Sequence, residues 1–98
     1  MIIRQGDVLL KKVEKIPKGL KKRDDKTVAL GELTGHHHTF SGQVCVFGEM
    51  GKRQFVDVQQ QSVLEHQEHK NIVVPKGKYE VIIQREFSAL DGVRQVMD

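Results

Sequence analysis

Five histidines fall in two short segments of this 98-residue chain, Gly35-His36-His37-His38-Thr39-Phe40 and Leu64-Glu65-His66-Gln67-Glu68-His69. Imidazole is the side chain most often recruited for divalent metals and for proton transfer near neutral pH. On a strand, alternate side chains share a face, which sends His36 and His38 to one side and His37 to the other. His66 and His69, three apart, converge where the backbone turns or bends helically between them. The pattern predicts one metal site with His36, His38, His66 and His69 as ligands, or three of these with a carboxylate from Glu65 or Glu68. With three ligands engaged, the fourth position is open to water, which a metal acidifies for hydrolysis. Glu68 is then the nearest acid/base. Zinc is the default divalent ion, and nickel, iron and copper also suit imidazole. The alternatives are a metal-free polar or catalytic cleft and two unrelated sets of surface histidines.

Other polar residues offer less. Gln84-Arg85-Glu86 ends a long apolar stretch. Arg85 has the fork geometry for an anionic substrate and Glu86 the chemistry of a general base, against the simpler reading of an exposed strand end. Asp7 after Gly6 most simply caps a turn, with metal ligation as the alternative. No glycine-rich phosphate loop, dinucleotide fingerprint, nucleophile elbow or paired-cysteine zinc motif is present.

The elements that must position these residues come from one domain over residues 1–98, since the chain has no room for a second core. Hydrophobic residues make up 38% and charged residues 30%, the balance of a globular protein rather than a disordered one. No apolar run reaches the roughly 18–20 residues of a membrane span, and no secretory signal is visible at the N-terminus. Cys45 is the only cysteine, which excludes an internal disulfide and points to a reducing compartment, the cytoplasm. Its setting, Val44-Cys45-Val46-Phe47, predicts a buried, inert thiol. The net charge of +3 is unevenly spread. Lys11, Lys12, Lys15, Lys18, Lys21, Lys22, Arg23 and Lys26 form a basic segment, 11–26, that suits a phosphate backbone. No aromatic residue interleaves it as a stacking platform, and a solvated strand edge is the competing reading. A non-catalytic module binding nucleic acid or protein through this segment is therefore the second functional expectation, beside a metal-dependent enzyme with a small-molecule substrate.

Short alternating stretches and frequent glycine turns predict an all-β fold, a single small barrel or sandwich of about six to seven short antiparallel strands, with the barrel preferred. The expected strands cover Gly6–Glu14, Thr27–Leu33, Gln43–Phe47, Gln54–Gln59, a start at Val63-Leu64, a pair around Pro75-Lys76-Gly77, and Tyr79–Phe87 with Tyr79, Val81 and Ile83 on one face. Lys21 to Asp25 is expected to be a mobile charged loop. Residues 88–98 fit either a turn at Asp91-Gly92 into a last strand or a short helix lined by Leu90, Val93, Val96 and Met97.

His36-x-His38 with Pro75-x-Gly77 is similar to the metal-binding pattern of the cupins, small β-barrels. It departs from that pattern because no glutamate follows His38 at short distance and the later histidines precede Pro75. The closer resemblance is to small uncharacterised bacterial and phage proteins. It rests on Arg4-Gln5-Gly6-Asp7-Val8-Leu9-Leu10, Gly31-Glu32-Leu33-Thr34-Gly35-His36-His37-His38, Glu65-His66-Gln67-Glu68-His69 and Pro75-x-Gly77-x-Tyr79 through Gln84-Arg85-Glu86-Phe87, in that order over nearly the whole chain. The resemblance implies a compact stand-alone domain and no particular reaction. The position of His37 looks variable in that group, which leaves open whether His36 or His37 pairs with His38; strand geometry favours His36.

Overall fold

Gly6 and Asp7 reverse the chain in two residues. They lie between β1 (Ile2–Gln5) and β2 (Val8–Val13), whose register pairs Gln5 with Val8. Gly6 takes φ +59° and among the described residues no non-glycine residue has positive φ, so the reversal has its left-handed residue at the first corner, the position where glycine is favoured in a tight hairpin. The strand expected over Gly6–Glu14 thus corresponds to β2 and begins inside the turn formed by Gly6 and Asp7, and β1 is not among the expected strands. This computed structural model describes residues 2–30 and 35–84. Beyond them only the backbone pairing of β11 (Phe87–Ser88) with β12 (Gly92–Val93) is defined. Arg85, Glu86, Leu90 and the helix-or-strand alternatives for Val96 and Met97 lie outside the described residues.

The other strands are β3 (Lys22–Arg23), β4 (Thr27–Leu30), β5 (His37–Ser41), β6 (Val44–Gly48), β7 (Gln54–Val58), β8 (Ser62–Glu65), β9 (Ile72–Val74) and β10 (Gly77–Ile83). They form two antiparallel sheets, one of six strands in the order β1-β2-β10-β7-β6-β3 and one of four in the order β4-β5-β8-β9. The fold is all-β and sandwich-like; the sheets do not close into a barrel. More and shorter strands form than the six or seven expected, because several polar or glycine-containing links turn within a few residues. Among the described residues no helix is long and apolar enough to cross a membrane.

The core lies between the sheets. Val8, Leu10, Val46, Val56, Val58, Tyr79 and Val81 come from the larger sheet and Val28, Ala29, Phe40, Leu64 and Val74 from the smaller. Full burial of a side chain such as Leu10 or Leu64 contributes roughly 1.5–3 kcal/mol. Tyr79, Val81 and Ile83 share the inner face of β10 as expected, with Tyr79 fully buried and its hydroxyl donating to the Pro75 carbonyl at 2.8 Å.

Two turns read correctly as turns connect different partners from those a local reading suggests. Pro75-Lys76 links β9 in the smaller sheet to β10 in the larger, and Gly42-Gln43 links β5 to β6 across the same gap. Gly42 has φ +116° and packs so tightly on β8 that a Cβ there would sit 2.5 Å from Ser62 Oγ. Lys21 to Asp25 is no mobile loop. Lys22 and Arg23 pair with β6, and the Arg23 guanidinium is held by Asp25, Gln54 and the Thr27 carbonyl. Cys45 is half-buried on the outer face of β6 rather than in the core, between the inward Val44 and Val46.

Candidate functional site

β5 and β8 are hydrogen-bonded neighbours, with Thr39 opposite Glu65 and Phe40 opposite Leu64. This pairing carries His38, on β5, up against the loop that follows β8 and holds His66 and His69. The ring centroids are 4.3 Å apart for His38 and His66, 4.6 Å for His66 and His69, 5.4 Å for His36 and His66, and 6.0 Å for His38 and His69. Two imidazoles bound to one tetrahedral ion have ring centres roughly 5 Å apart, given metal–nitrogen bonds of about 2.0–2.1 Å. The spacing of these rings is therefore in the range that ligation requires. His37 points elsewhere, its backbone N–H donating to Gln67 Oε1 at 2.8 Å and its ring beside the Gln67 amide.

His38 shares the inner face of β5 with Phe40 and is 4% exposed. A buried imidazole needs a partner, and its partner is Gln5, itself 2% exposed, with Oε1 2.8 Å from His38 Nδ1. The Gln5 amide nitrogen donates to the Leu64 carbonyl at 2.9 Å and to the Lys70 carbonyl at 2.8 Å. Both amide protons are thus committed, so Oε1 is the end facing His38 and accepts a hydrogen bond from Nδ1–H. Neutral His38 is left with its lone pair on Nε2. Burial first, and then the neighbouring His66, push the His38 pKa down to about 4, against the opposing pull of Asp7. His38 is therefore neutral near pH 7.

Across the two-residue turn, Asp7 places Oδ1 3.4 Å from His38 Nε2. Between them Gly6 supplies clearance: a Cβ on it would lie 2.6 Å from His69 Nε2. One tripeptide, Gln5-Gly6-Asp7, thus orients His38, admits His69 and brings in a carboxylate. The sequence signal was present in the glycine between two polar residues, but nothing local indicates that Gln5 is buried or that its partner is 33 residues away.

His36 sits at the rim, half-buried, with Nδ1 3.0 Å from Glu68 Oε1. This carboxylate–histidine contact is the arrangement that commonly leaves Nε2 as the metal-binding atom. His66 is turned the other way. Its Nδ1 accepts the backbone N–H of Glu68 at 3.0 Å and of His69 at 3.2 Å, shaping the loop. The neutral ring then carries its proton on Nε2, so ligation by His66 requires exchanging those two bonds. Burial, then His69 and His36, lower its pKa. Among the described residues no three His, Cys, Asp or Glu side chains already converge as a formed metal site does; the rings are suitably spaced, and His66 is not aimed.

Exposure rises outward, from buried His38 through half-buried His36 and His66 to exposed Glu68 and His69. A separate cavity of about 540 Å³ is lined by Val28, Ala29, Leu30, Met50, Val81 and Ile83 among others, and none of its described lining residues is a histidine. Within the basic segment, Lys11 and Lys12 are adjacent on β2 and point to opposite faces of the sheet.

The chain belongs to a family defined as a domain of unknown function, DUF8820, whose model matches residues 4–84. The match spans Gln5-Gly6-Asp7 and all five histidines. No curated protein and no solved structure matches the chain.

Proposed function

We propose that the protein binds one divalent metal ion where His36, His38, His66 and His69 gather, zinc by default with nickel or iron also suited. The observation that carries this reading is His38. It is buried, neutral, fixed at Nδ1 by Gln5 and left with a lone pair on Nε2 beside the other rings. Metal-ligating histidines characteristically have the other ring nitrogen hydrogen-bonded in this way. His36 is likewise held at Nδ1, by Glu68.

A bound metal would lower the pKa of a coordinated water and make it a nucleophile near neutral pH. The exposed end of the site, at His69 and Glu68, is where a small-molecule substrate would enter. Glu68 would first orient His36, and its exposed carboxylate also suits it to exchange protons with that water. A metal-dependent hydrolase or cupin-like enzyme is thus the reaction class this geometry favours. A single, half-buried Cys45 and no disulfide suit the cytoplasm. The alternative of nucleic-acid or protein binding through residues 11–26 has weaker support, since the Arg23 guanidinium is occupied and Lys11 and Lys12 diverge.

Elemental analysis of protein purified without a tag tests the reading. The expected result is one metal per chain, lost in the His38→Ala/His66→Ala double variant. Metal-free protein whose thermal stability ignores added zinc, nickel and iron(II) would overturn it.

A further inference from the structure

We propose that Asp7 is an oxygen ligand of this same centre, opposite His38, and that Gln5 is the positioning residue that directs His38 Nε2 toward the ion. The inference rests on the metal-binding reading above and adds to it a ligand outside both histidine segments.

The geometry begins with Gln5. Its amide nitrogen is held by the Leu64 and Lys70 carbonyls, so its oxygen accepts from His38 Nδ1 and the lone pair of neutral His38 lies on Nε2. Asp7 Oδ1 stands 3.4 Å from that nitrogen. A cation bridging this oxygen and this nitrogen would take both as ligands. Two ligand atoms each about 2.1 Å from a tetrahedral ion are roughly 3.4 Å apart, so the observed separation already matches that of two ligands on one metal. The turn at Gly6 makes this possible, because it lets residues two apart in sequence reach the two nitrogens of one ring, Gln5 at Nδ1 and Asp7 at Nε2. The resulting donor set mixes imidazole nitrogen with carboxylate oxygen, which suits Zn²⁺ or Fe²⁺ and disfavours soft Cu⁺.

The test uses full-length protein without a tag. Zinc affinity is measured by competition with a chromophoric chelator, and the visible spectrum of the cobalt(II) form is recorded. Asp7→Asn is expected to weaken zinc binding about tenfold or more and to alter the cobalt bands. Glu49→Gln, which removes the same charge in the turn after β6, should leave both unchanged. On unmutated protein, the cadmium-113 resonance should lie upfield of an all-imidazole site, which reads the oxygen ligand without any variant. Unmutated protein that binds zinc while Asp7→Asn matches it in affinity and spectrum, or a cadmium shift typical of nitrogen donors alone, would overturn Asp7 as a ligand and leave the histidine site standing. Equal losses in Asp7→Asn and Glu49→Gln would reduce its effect to long-range charge and overturn it too. Unmutated protein that binds none of these ions would instead overturn the underlying reading.

Discussion

Two buried glutamines tie the sheets together, and they end in opposite electrostatic situations. Gln54, on β7 of the larger sheet, donates to the Val28 carbonyl on β4 and accepts from Arg23. Gln5, on β1 of the same sheet, donates to the Leu64 carbonyl on β8 and accepts from His38. At the Arg23 end every partner has the right polarity. The guanidinium supplies protons, and Asp25, Gln54 and the Thr27 carbonyl accept them, which also holds the Asp25 carboxyl below its usual range. At the His38 end Gln5 closes one side of the ring, and the other side faces Asp7, with Oδ1 3.4 Å from His38 Nε2. A guanidinium enclosed by three acceptors is structural support, whereas an imidazole held beside a carboxylate is the pairing the proposed metal site uses.

The comparison is sharpest in the glutamines themselves. Gln5→Leu and Gln54→Leu each leave buried partners unsatisfied, and each is expected to lower unfolding free energy by about 4 kcal/mol in urea titrations, from two or three groups at about 1–3 kcal/mol apiece. Zinc should raise the melting temperature of Gln54→Leu but not of Gln5→Leu. An equal zinc response in both would erase the distinction.

A pH series on metal-free protein probes the His38 end alone. The His38 pKa falls from 6.5 to about 4 on folding, so the unfolded chain takes up a proton in that window and the native one does not. Its contribution is fully present above pH 6.5 and is lost as pH falls toward 4, by about 3 kcal/mol at about 1.36 kcal/mol per unit. His38→Gln should flatten this slope in denaturation midpoints measured between pH 7.5 and 4.5, and an unchanged slope would refute the assignment.

Gly6→Ala introduces both a left-handed alanine and a contact with His69. The expected cost is about 2 kcal/mol, with the His69 imidazole resonances displaced in NMR spectra and those of His37 unmoved. The smallest effect belongs to Glu68→Gln. Its pair with His36 is exposed, so stability should change by less than about 0.5 kcal/mol. A larger loss would mean that Glu68 carries structural weight this geometry does not give it.

The residues differ in how legible they were. His36 and His38 follow from strand alternation, because His38 shares a face with Phe40. His66 and His69 stand out by composition, and the β5–β8 pairing then joins the two segments. Gln5 was opaque, since a glutamine at a strand end ordinarily faces water and its burial depends on carbonyls at Leu64 and Lys70. Arg23 was misread for a similar reason: a run of charges looks solvated until Gln54 and Asp25 are seen to enclose one of them. Pro75 and Gly42 announced turns, but turn chemistry is local and does not say which sheet receives the next strand. Periodicity reports which face a side chain takes, not which strand lies beside it.

The β5–β8 pairing also governs when the site comes into being. The chain between those strands runs through β6 and β7 in the opposite sheet, and Gln5 arrives from the other end of the sequence. No contiguous peptide shorter than residues 5–70 contains every group, and these contacts close long loops, whose entropy cost slows their formation. A ligand requiring all three segments is therefore invisible to the unfolded chain and to its fragments. Its uptake during refolding would mark the moment at which the two sheets meet.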